Sequence, residues 1–107
     1  MATPLADPGR RIDVQPLGAA LRGAATATLL KSARLAVVRL VVPAGKDIPP
    51  HQTAGEITVQ CLEGRVAFTA LGQTRELTAG QLLWLPGGET HSLKGIEDAS
   101  LLVTRSL

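Results

Sequence analysis

The chain has 107 residues, 45% of them hydrophobic, a formal net charge of +2 and a mean hydropathy of +0.19. These values describe one folded domain with a single core, too short for a separate cofactor domain and too apolar for a disordered chain. Phe68 and Trp84 are the only aromatic rings of the Phe, Tyr and Trp type, and the basic residues are scattered, which excludes a nucleic-acid surface built on base stacking.

Residues 1–24 are rich in Ala, Gly and Pro and read as a loose N-terminal arm, with at most a short strand around Ile12 to Val14. The stretch 17–30 is apolar enough to raise the question of an export signal. Arg22, Gly18 and Gly23 interrupt it, and it is too short to span a bilayer, so no membrane partner is expected. Lone Cys61 excludes an intrachain disulfide and any zinc site built on a cysteine pair, and it suits a reducing cytoplasm, which is the expected location.

From residue 25 to the end the sequence changes character. Residues 26–30 and 35–42 are β-branched and aliphatic and close on Pro43-Ala44-Gly45, which predicts two strands of a hairpin. Pro49-Pro50 ends any helix locally. Short apolar runs follow at 57–62, 65–71, 75–77, 81–85, 91–93 and 101–105, separated by Ala54-Gly55, Glu63-Gly64, Leu71-Gly72, Ala79-Gly80, Gly87-Gly88 and Gly95. Short strands punctuated by glycine at nearly every gap predict an all-β fold, a sandwich or a closed barrel.

Two turn-plus-histidine units stand out. The downstream one reads G-x5-P-x-G-x2-H, with Gly80, Pro86, Gly88 and His91; the upstream one runs from Gly45 through His51, Thr53 and Glu56 to Gly64. A strand that rises to a Pro-Gly-Gly turn and returns with a histidine puts that imidazole at a barrel mouth, and two such units predict two histidines facing one cavity.

These residues resemble the two motifs of the cupins. The first, G-x5-H-x-H-x3,4-E-x6-G, is matched by Gly45, His51 and Gly64; the second, G-x5-P-x-G-x2-H-x3-N, is matched by Gly80, Pro86, Gly88 and His91. Fifteen residues separate Gly64 from Gly80, close to the shortest spacing the family uses. The resemblance implies a single-domain double-stranded β-helix, or jelly-roll barrel, over residues 25–107. It also implies a divalent ion, of the iron, manganese, nickel or zinc kind, held by histidines and a glutamate. Here Thr53 stands at the second histidine position, Ile57 at the glutamate position and Gly95 at the asparagine position. His51 and His91 remain as candidate metal ligands. Two imidazoles are fewer than the three or four protein ligands such ions normally take, so the expected binding is weak.

Glu56 lies one residue before the glutamate position, and alternation along a strand turns it to the opposite face unless a bulge re-aims it. The same alternation places Ile57, Val59 and Cys61 on the cavity face with Thr53, while Thr58, Gln60 and Leu62 point away, and Phe68 closes the floor. Thr53, Ile57, Val59, Cys61 and Phe68 are thus the candidate contacts of a small, largely apolar ligand anchored at one polar tip. Cys61 reads as a small buried hydrophobe and Trp84 as a core or interface residue.

No residue pattern assigns a catalytic group. Three functions remain open: oxygen or isomerase-type chemistry on a small molecule at a weakly held metal; a non-catalytic ligand-binding or regulatory cupin without metal; and a structural module whose barrel is filled by its own side chains. Edge strands of so small a barrel need protection, and the resemblance implies a two-fold homodimer.

Overall fold

The computed structural model describes residues 6–107. Its strands are β1 (Ala27–Lys31), β2 (Leu35–Val42), β3 (Asp47–His51), β4 (Ile57–Glu63), β5 (Arg65–Ala70), β6 (Gln73–Thr78), β7 (Leu82–Leu85), β8 (His91–Gly95) and β9 (Ala99–Ser106). They form two antiparallel sheets, in the order β1-β2-β9-β4-β7 and β3-β8-β5-β6, packed face to face as a jelly roll. A 3-10 helix at Gly18–Leu21 is the only helical element among the described residues.

Period-two patterning decides which side chains enter the core. Along β4, Ile57, Val59 and Cys61 are buried while Thr58, Gln60 and Leu62 lie on the other face, as the alternation predicts. Val42, Val66, Phe68, Leu93 and Leu101 complete the inner layer from the neighbouring strands.

β3 is a departure from the sequence reading, which assigns no strand to the Pro49-Pro50 segment. Proline removes a ladder donor, yet β3 is the edge of its sheet and its register with β8 shifts between Ile48 and His51. The prolines therefore sit where the ladder is already broken, one of the few sheet positions that tolerates them. Conversely, the short strand expected around Ile12 to Val14 does not form.

The N-terminal segment is tied to the outer face of its own five-stranded sheet. The backbone N–H groups of Leu17 and Gly18 donate to the Glu63 carboxylate at 2.9 and 3.1 Å. Arg39 Nη2 donates to the Asp13 carbonyl at 3.2 Å, and Leu21 is buried. Burial opposes ionisation of Glu63, but the bonds from Ser100, Leu17 and Gly18 and the Arg39 charge outweigh it and hold the carboxyl below the usual glutamate range.

Two glycines are required by close backbone approach. Gly64 has φ +79°, and a Cβ there would run into the Asp98 carbonyl. Gly95 stands at the asparagine position of the second motif, and a Cβ there would strike the Pro43 carbonyl.

Candidate functional site

β3 and β8 bring the two histidines together. His51 and His91 are register partners across these strands, with ring centroids 4.2 Å apart and planes at 61°. Each ring makes the same local bond: His51 Nδ1 to the Pro49 carbonyl at 3.0 Å and His91 Nδ1 to the Glu89 carbonyl at 3.1 Å. A carbonyl only accepts, so Nδ1 donates in both rings, and Nε2 is the ring nitrogen left for another partner. His51 is exposed, whereas His91 is buried with 5% of its surface accessible. Burial pushes the His91 pKa down, and nearby His51 adds to this, against the opposing bond to the Glu89 carbonyl.

Phe68, from β5, lies nearly parallel to His91 at 5.6 Å and 9°, and fixes the ring from the core side. Ala70 is the β5 register partner of His91 and of Gln73 on β6, and Phe68 is the partner of Arg75. Register partners share a face, so the inner surface of the four-stranded sheet carries His51, His91, Ala70 and Gln73 in one row, with Phe68 and Arg75 in the next. Between edge strands β6 and β7 this surface opens into a cavity of about 330 Å³ lined by Phe68, Ala70, Gln73, Arg75, Leu83 and Leu85, among others.

The sequence candidates divide accordingly. Phe68 lines the cavity, whereas His51 and His91, expected to face it, are not in its lining. Ile57, Val59 and Cys61 are at most 3% exposed and lie in the packed core, and none of them is in the cavity lining. Burial raises the Cys61 thiol pKa, which makes it a poor nucleophile. Thr53 sits in the loop after β3; its hydroxyl donates to the Gly55 carbonyl at 3.1 Å and its own carbonyl accepts from Gly88 at 2.8 Å, which joins the two histidine-bearing turns. Glu56 is exposed and its Oε1 accepts from Trp84 Nε1 at 2.9 Å. Trp84 is the register partner of Thr58, an outward-facing position, so this carboxylate is on the far side of the sheet from the histidines.

The donor chemistry bears on the expected metal. Two Nε2 lone pairs are suitable ligands, but no group of three or more His, Cys, Asp or Glu side chains able to hold an ion occurs among the described residues. The histidine pair is half a protein cage and does not fit a site of three or four side-chain ligands.

Gln73 and Arg75 are the polar lining residues the motifs do not point to; Leu71, Leu83, Leu85 and Trp84, the last read from the sequence as a core or interface residue, also line the cavity. A signal for the first two was present: a two-residue turn at Leu71-Gly72 fixes the hairpin register, which sets Arg75 opposite Phe68.

A nine-strand jelly roll with two histidines paired across adjacent strands defines the class. A family model described as "Cupin domain" matches residues 38–105, and the chain belongs to this family. Solved structures agree on the fold. A cupin superfamily protein from Desulfitobacterium hafniense superposes with a TM-score of 0.78 at 17% identity, covering 100% of this chain and 98% of the other. A conserved protein of unknown function from Streptococcus pyogenes gives 0.75 at 19% identity, covering 99% and 94%. An RmlC-like cupin from Desulfovibrio desulfuricans gives 0.69 at 25% identity, covering 76% and 79%. No curated protein matches the sequence. No helix among the described residues is long and apolar enough to cross a membrane.

Proposed function

We propose that this cupin binds a small, largely apolar molecule in the cavity between β6 and β7, and that the ligand reaches past Phe68 to the His51–His91 pair, which lies beyond the cavity lining. The observation that carries the reading is the shared contact of the two rings: both Nδ1 atoms are committed to backbone carbonyls, which leaves both Nε2 atoms free for a ligand. The lowered His91 pKa keeps that ring neutral, and therefore an acceptor, at pH 7. The apolar wall of Phe68, Ala70, Leu83 and Leu85 takes the ligand body.

The same two lone pairs support a second reading, a divalent ion held weakly by His51 and His91 with water in its other positions. Metal content of protein purified without an affinity tag separates the two. Substoichiometric metal, with melting temperature raised by a small apolar ligand after chelator treatment, is the expected result. Stoichiometric metal retained through purification overturns the metal-free reading.

The working form is proposed to be a two-fold homodimer in the cytoplasm. Support comes from Leu82 and Trp84, 60% and 58% exposed on edge strand β7, an apolar edge that a second copy would cover.

A further inference from the structure

Arg75 is an exposed arginine on edge strand β6, at the open mouth of the cavity. It is the register partner of Phe68, whose ring is buried, so its side chain leaves β6 on the core-facing side, where it lines the cavity with Phe68, Ala70, Leu83 and Leu85. Its neighbours in sequence behave differently: Glu76 faces outward and pairs with Arg65 at 3.4 Å. Among the described residues no carboxylate lies within ion-pair distance of Arg75. The one polar side chain on its guanidinium is Gln73, whose Oε1 accepts from Nη2 and holds the fork against the cavity wall. Both residues belong to the same inner surface as the histidine pair, two strands away, a span of about 10 Å at the usual strand spacing.

From this arrangement we infer that the cavity takes a small monocarboxylate, its carboxylate paired with Arg75 and its apolar chain lying across Phe68, Leu83 and Leu85 toward His91. The inference rests on the ligand-binding reading above and names its substrate class. A planar guanidinium with parallel N–H donors matches a carboxylate bidentately. Arg75 is the only cationic side chain in the lining, so one negative charge is matched and the second charge of a phosphate dianion finds no cation there.

The test is calorimetric titration of hexanoate and of hexanamide, matched in size and differing in charge, into chelator-treated full-length protein and into Arg75→Gln. Chelator treatment ensures that a carboxylate bound to a histidine-held ion is not counted. Hexanoate is expected to bind wild type at least about tenfold tighter than hexanamide, roughly the worth of one charge-assisted pair over a neutral one. Arg75→Gln is expected to abolish that preference, so that acid and amide bind it alike. Equal binding of acid and amide by wild type, or a preference that survives in Arg75→Gln, overturns the role of Arg75 while the ligand cavity stands. Failure of wild type to bind either compound overturns the cavity reading, and this inference with it. The wild-type comparison decides the matter even if the variant is poorly folded.

Discussion

The rings of Phe68 and His91 lie nearly parallel, 5.6 Å apart at 9°, so the innermost ligand candidate of the site leans on the core itself. Phe68 is 2% exposed and also lines the cavity, which makes it the one residue shared by the packing, the histidine pair and the proposed ligand space. Stability and site geometry are therefore coupled through a single side chain.

Phe68→Ala should cost about 3–5 kcal/mol, because it removes a buried ring and leaves a cavity beneath His91. Phe68→Leu keeps most of the volume and should cost only about 1 kcal/mol. Urea denaturation of both variants checks this. A loss near 1 kcal/mol in Phe68→Ala would mean that the ring is peripheral to the core.

The Glu63 carboxylate accepts from Leu17, Gly18 and Ser100, so Glu63→Ala should release the N-terminal segment at a cost of about 1–2 kcal/mol. Amide exchange at Leu17 and Gly18 should accelerate while that of β4 and β9 stays slow. Because the folded-state pKa lies below the unfolded one, the carboxylate's contribution is complete above the ordinary glutamate pKa near 4.3 and is lost as pH falls through the depressed value. Stability measured from pH 6 down to pH 3 should fall less steeply in Glu63→Ala than in wild type. An equal slope would show that the carboxylate carries none of the acid sensitivity.

Leu82 and Trp84 leave an apolar edge on β7. Light scattering at micromolar concentration should give a dimer for wild type, and Leu82→Glu should shift it toward monomer without changing the far-UV spectrum. A monomeric wild type contradicts this assignment.

Much of the architecture was legible because glycine turns and alternating apolar residues act locally: 35–42 coincides with β2, and 57–62 and 65–71 with β4 and β5 to within a residue. β3 was not legible, since two prolines argue against a strand and only the broken register at a sheet edge makes room for them. The histidine pair was legible from the two turn motifs. The cavity was displaced from its expected place because alternation tells which face a residue takes but not whether that part of the face is filled. Ile57, Val59 and Cys61 face inward and are packed, whereas the open space lies where β6 and β7 part. Glu56 followed the simple alternation rule: no bulge redirects it, and Trp84 holds it on the outside.

The central claim is that the site is a pair of imidazoles with no carboxylate beside them. Calorimetric titration of zinc or manganese into chelator-treated wild type, Glu56→Gln and His91→Ala tests it most directly. The account predicts weak binding to wild type, nearly unchanged affinity in Glu56→Gln, and no binding in His91→Ala. A loss of affinity in Glu56→Gln comparable to that in His91→Ala would contradict it, because the carboxylate would then have to reach the face on which the histidines stand.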